Sequence, residues 1–124
     1  MSINRQINRV NAVEFFMHLY EANIQHKCIE NPVGYINRLI KPTQIIQPYE
    51  FGDSESKRTC LWLTNLPKLI PTNIVIPTIH GYFKSGKNKG KPIYFSDSIN
   101  SKNRAKDRAK TFIGIANAMA MQWG

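Results

Sequence analysis

Glu30 and Asn31 place a carboxylate next to a carboxamide in the chain. They close a short stretch, Gln25 to Glu30, that reads as a strand entered from a helix. In α/β sheets, ligands bind just beyond the carboxyl ends of strands. Hydrogen-bonding or acid–base chemistry is therefore expected of this pair. A plainer role competes with it: a strand-end carboxylate facing a Lys or Arg, and an Asn-Pro turn that redirects the chain. The two cysteines, Cys28 and Cys60, lie in apolar segments and read as buried thiols, not as nucleophiles or a disulfide framework. His18, His26 and His80 are scattered, with no Cys-x-x-Cys or His-x-x-x-His spacing, so no metal site is expected.

A second set of reactive groups is basic. The chain has 124 residues and a net charge of +9. Residues 84–110 hold nine Lys/Arg against Asp97 and Asp107, a local net of +7. Such a field favours a polyanion, and nucleic acid is the commonest one inside cells. The candidate contacts are Lys57, Arg58, Lys84, Lys87, Lys89, Lys91, Lys102 and Arg104. A solvated lysine-rich loop followed by the polar face of a helix would show the same composition.

These groups need elements to hold them. Ile3, Ile7, Val10, Val13, Met17 and Tyr20 recur at spacings of three and four, with Phe16 and Leu19 widening the stripe, which predicts an amphipathic helix over 3–22. Ser2 is its expected N-cap and Asn23 its expected left-handed end. Pro32 is expected to stop the strand that follows, since it lacks an N–H. Residues 35–57 read as irregular, with a brief strand at Ile45-Ile46. Arg58 to Leu63 is apolar on both faces and predicts an interior strand. His80 to Phe95 has a hairpin signature: aromatic ends and a lysine tip punctuated by Gly86 and Gly90. A last helix is expected from about Ser101 to Gln122, basic at its start and apolar at its end. At this length one domain, residues 1–124, is expected. No run approaches a membrane span, and the first residues lack the apolar stretch of a signal peptide.

Three separated motifs resemble a known family. They are Cys28-Ile29-Glu30-Asn31-Pro32-Val33-Gly34, then Lys41 to Gly52 (KPTQIIQPYEFG), then Lys57 to Pro67 (KRTCLWLTNLP). The ending from Lys110 to Gly124 is similar to the same family's C-terminal helix. Together they resemble the C-terminal half of small phage-encoded DNA cytosine methyltransferase-like proteins. The likeness covers most of the chain except roughly residues 76 to 100.

The resemblance implies an α/β fold: a partial Rossmann-like sheet of the class I methyltransferase type, flanked by helices, with the basic β-hairpin added. It also implies a role for Glu30-Asn31, which resemble the Glu-Asn motif that binds the Watson–Crick edge of a flipped cytosine. The departure is equally plain. The family's S-adenosylmethionine-binding half and its Pro-Cys nucleophile motif have no counterpart here.

Three functions are therefore expected to compete. In the first, a truncated methyltransferase-like protein without autonomous catalysis binds nucleic acid or a host defence protein for a phage. In the second, the chain is the target-recognition half of a split DNA cytosine methyltransferase. Glu30 and Asn31 would then be catalytic, with S-adenosylmethionine supplied through a complementary polypeptide. In the third, it is a self-associating interaction module. All three imply homo-oligomers, because a sheet cut in mid-fold leaves strand edges and apolar surface to cover. All three place the protein in the cytoplasm of a bacterial host, with no membrane contact and no cofactor held by this chain alone.

Overall fold

A computed structural model describes residues 2–94 and 112–124. Over these residues the chain is mixed α/β, with small antiparallel sheets and three helices. Its contacts group into two compact units, Met1–Ile45 with Thr59–Lys68, and Ile46–Arg58 with Leu69–Gly124.

The first unit opens with α1, Ile3–Glu21. Ser2 caps it as expected, its hydroxyl accepting from the Arg5 N–H at 3.2 Å. The far end differs from expectation. The C-cap is Ala22 in an extended conformation, and Asn23 is not left-handed: among the described non-glycine residues only Asn65 has a positive φ. The Lys27 ammonium does that work instead. It donates to the carbonyls of Leu19, Tyr20 and Ala22 at 2.9, 2.7 and 3.1 Å. Carbonyls of a last turn lack intrahelical partners, and a cation there also complements the helix dipole.

Only one edge of the apolar stripe of α1 is buried. Ile3, Ile7 and Val10 are 73%, 52% and 56% exposed, while Phe16 is buried. At 3.6 residues per turn these three lie roughly 120–180° round the helix from Phe16. Periodicity identified the helix, and the Phe16 edge of its stripe, with Met17 beside it, is the side that faces inward.

Phe16 joins Ile29, Cys60 and Trp62 in a core cluster, with Met17, Ile36 and Ile40 packed against it. The Phe16 and Trp62 rings meet edge to face at 4.8 Å, a favoured aromatic arrangement. The indole N–H of Trp62 donates to the Ile40 carbonyl at 3.1 Å, so its polar atom is satisfied.

The sheet order is β1-β3-β2, with β1 Lys27–Pro32, β2 Gln44–Ile46 and β3 Thr59–Thr64. The interior position expected for β3 is what the chain adopts: Cys60, Leu61 and Trp62 are all buried. β1 runs antiparallel to β3, with Glu30 opposite Leu61 and Asn31 opposite Cys60. It continues through Asn31 and Pro32 rather than stopping before them. Pro32 is tolerated because β1 is at the sheet's edge, where a missing N–H costs no second ladder. A short helix, α2 (Ile36–Leu39), follows.

In the second unit a 3₁₀ turn, Pro48–Glu50, is tied down by its own side chains: the Gln47 N–H donates to Glu50 Oε1 at 2.7 Å. The extended segment beyond Leu69 runs along this turn. Thr72 and Asn73 donate to the Glu50 carbonyl, and Val75 to that of Tyr49. The expected hairpin is present as β4, Gly81–Tyr82, and β5, Pro92–Ile93, paired antiparallel.

The last helix, α3, spans Ile113–Trp123. It does not continue back through Phe112, which is extended (φ −90°, ψ 127°); residues 101–111 lie outside the described ones. A clamp explains the start. The Gly114 N–H donates to Asp53 Oδ2 at 2.9 Å, so a carboxylate from another segment does the work of a cap. Gly114 is also as small as it must be, because a Cβ there would collide with the Phe51 carbonyl oxygen. At the other end, the Gln122 side chain makes two bonds to the Ile70 backbone, at 2.8 and 2.9 Å.

Candidate functional site

Glu30 and Asn31 lie within β1, not beyond its end. Glu30 is exposed and Asn31 half-buried. Both line an open groove of about 190 Å³ with Phe15, Phe16, Leu19 and Ile29. A carboxylate and a carboxamide beside an apolar wall suit a flat ligand with polar edges. Cys28, two residues before Glu30, is not a nucleophile. Burial, and secondarily the negative Glu30, push its thiol from 9.0 up to about 11. It therefore stays protonated at neutral pH. Cys60 is fully buried. Among the described residues no group of three or more His, Cys, Asp or Glu could hold a metal ion, and no helix is long and apolar enough to cross a membrane.

Asn31 also lines a second groove, of about 330 Å³, whose other polar walls are Arg5, Asn8, Arg9 and Tyr35. The Arg9 guanidinium lies over the Tyr35 ring, 4.3 Å from its centroid. This cation–π contact holds the arginine against the ring. Sequence reading missed these residues. The signal was there: Arg5, Asn8, Arg9 and Ala12 follow the i, i+3, i+4, i+7 spacing of one helix face. It was hidden because residues 1–83 are nearly balanced in charge.

The lysine finger is a built feature of the second unit. Four backbone bonds close the loop between β4 and β5, including Phe83 N–H to Lys91 O at 3.0 Å and Gly90 N–H to Phe83 O at 2.8 Å. Gly86 and Gly90 take positive φ, 81° and 84°, a region that costs glycine little. Lys84, Lys87, Lys89 and Lys91 are all exposed, and no acid lies between them. Arg58 is exposed too. Lys57 departs from expectation. It is 6% exposed, so its ammonium has little surface to offer a phosphate. Lys102 and Arg104 lie outside the described residues. Near the hairpin's base, His80 pairs with Glu55 at 3.0 Å.

The site and fold together define a small mixed α/β chain with a grooved first unit and a cationic hairpin in the second. Compared with protein-family models, with curated proteins and with solved structures, the chain finds no match in any of the three.

Proposed function

We propose that this chain is a truncated methyltransferase-like protein of a phage that binds nucleic acid and does not methylate by itself. In this reading its sheet derives from a Rossmann-like methyltransferase scaffold. The observation that carries the binding role is the hairpin: four exposed lysines on a loop shaped by its own backbone bonds. Lysines act as point charges toward phosphate and carry no sequence preference by themselves. Binding through them releases counterions, so the log of affinity falls with log salt by about 0.9 per phosphate neutralised on duplex DNA. Changing Lys84, Lys87, Lys89 and Lys91 together to Ala should flatten that slope by about 2 to 4. A slope left unchanged would remove the hairpin from the interface. Self-association belongs to the same proposal, supported by the exposed Ile3, Ile7 and Val10 of α1 and by the edge strand β1. A host defence protein as the bound partner remains a variant of this reading, distinguished by binding that is indifferent to nuclease.

A second reading rests on the first groove. There Glu30 and Asn31 both line a groove with an apolar wall, which a base-reading half of a split methyltransferase could use. In this reading the chain supplies no S-adenosylmethionine cradle of its own; the link between β1 and the four-residue α2 holds a single glycine, Gly34. The methyl donor and the attacking thiol would both come from the complementary polypeptide. Mixing the chain with a polypeptide that carries a Pro-Cys motif should then yield methylated DNA. Glu30→Gln should abolish the yield, and full activity of that variant would sink the assignment.

A further inference from the structure

The groove on α1 is no part of the hairpin, and it shares Asn31 but not Glu30 with the groove of the second reading. Its lining has a consistent chemistry. Arg5 and Arg9 are four residues apart, hence one above the other on one face of α1, with Asn8 beside them. None of the residues lining it is acidic. Neither arginine is in an ion pair among the described residues, so neither charge is already neutralised. Ala12, Val13 and Ile36 supply apolar walls, and Asn8 and Asn31 supply amide donors and acceptors.

We propose that this groove binds a nucleotide phosphate that carries an unpaired base. Arg5 and Asn8 face the phosphate, and the Arg9–Tyr35 pair offers a stacking surface to the base. Each part has a reason. Guanidinium matches phosphate oxygens with a fork of N–H donors. Arg9, already held 4.3 Å over the Tyr35 ring, loses less freedom on binding than a free side chain would. Tyr35 is 40% exposed, so part of its ring is open to a ligand. Unstacked bases are held by aromatic rings and by arginine planes, and the contact tolerates any base. A volume of about 330 Å³ is at the small end of ligand pockets, which run from about 300 to 1,000 Å³. It suits one nucleotide and not a stacked pair.

A free nucleotide and a single-stranded segment share this chemistry. The proposal deepens the nucleic-acid reading, yet it rests on other residues, so the two can fail separately. The ordinary alternative is that Arg9 and Tyr35 merely latch α1 to the chain entering α2. Arg5 separates the two, because its side chain takes no part in that latch.

The test uses the full chain in which Lys84, Lys87, Lys89 and Lys91 are already Ala, so that the hairpin does not mask the groove. Binding of a labelled oligothymidylate is followed by anisotropy, with thymidine monophosphate, inorganic phosphate and a duplex as competitors. The proposal expects single strand or monophosphate to bind. It expects Arg5→Gln and Tyr35→Leu each to weaken binding about tenfold. Tyr35→Phe, which keeps the ring, should bind like the parent and guards against a folding defect in the leucine variant. Monophosphate that competes as well as the oligomer, mole for mole of nucleotide, makes the ligand a free nucleotide; a much tighter oligomer makes it a strand. Unchanged binding in both Arg5→Gln and Tyr35→Leu would overturn the proposal. So would inorganic phosphate or duplex competing as strongly as the nucleotide, since neither presents an open base.

Discussion

Two helices among the described residues, α1 and α3, are held in opposite ways. α1 has 19 residues, of which only Phe16 is fully buried. It is fixed by one aromatic anchor in the core and by the Lys27 ammonium at its last turn. α3 has 11 residues and buries Ile115 and Ala118. It is fixed by polar clamps at both ends and by a residue with no side chain, Gly114 against the Phe51 carbonyl. The difference shows that amphipathic periodicity and burial are separate properties. α1 is the more periodic of the two to the eye, and most of its stripe faces water. Its inward side is left free to carry Arg5, Asn8 and Arg9 next to β1, which is how a helix of modest packing comes to line two grooves.

The comparison is most strongly tested at the two fixing points. Phe16→Ala removes a buried ring from the Ile29–Cys60–Trp62 cluster and should cost about 3–5 kcal/mol, the usual range for such truncations. At dilutions where the chain is monomeric, Ile7→Ser, in the exposed stripe, should change stability by less than about 0.5 kcal/mol. If denaturant unfolding showed Ile7→Ser to be as damaging as Phe16→Ala, the stripe would be a packed face after all. On α3 the corresponding change is an addition. Gly114→Ala brings a Cβ onto a backbone oxygen, which cannot rotate away as a side chain would. Overpacking of this kind costs about 1–3 kcal/mol or more, and the upper end is expected here. A variant as stable as the parent would mean that the helix start can slide off the Phe51–Asp53 turn at little cost.

What was legible in the sequence follows the same division. Local signals were readable because they act within a few residues. The Ser2 cap, the interior character of Cys60-Leu61-Trp62 and the Gly86/Gly90 hairpin all belong here. Contacts between distant segments were not. Lys27 reaches back eight residues to Leu19, and Asp53 reaches 61 residues ahead to Gly114. Neither residue differs from its neighbours in type or spacing. Glu30 and Asn31 were singled out from the sequence and do line a groove. The Arg5–Arg9–Tyr35 groove was not, because Tyr35 comes to Arg9 only through the path of β1 and α2. Lys57 was misplaced for the converse reason: a lysine that flanks an interior strand is easily covered by its surroundings.

The smallest effect concerns the cation that ends α1. Lys27→Met keeps the apolar stem and removes the ammonium, leaving the Leu19, Tyr20 and Ala22 carbonyls to water. Two of the three bonds are exposed, so hydration recovers much of what is lost. The expected cost is therefore about 1 kcal/mol, within the range of charge–dipole and single hydrogen-bond contributions. It should shrink with added salt, because exposed charges are screened. The Phe16→Ala cost, arising from burial, should not shrink in that way. Hydrogen exchange should also place the loss locally, with faster exchange in the last turn of α1 and unchanged protection in β3. Uniformly faster exchange in β3 would mean that Lys27 supports the sheet directly, and that α1 is anchored along its length instead of at two points.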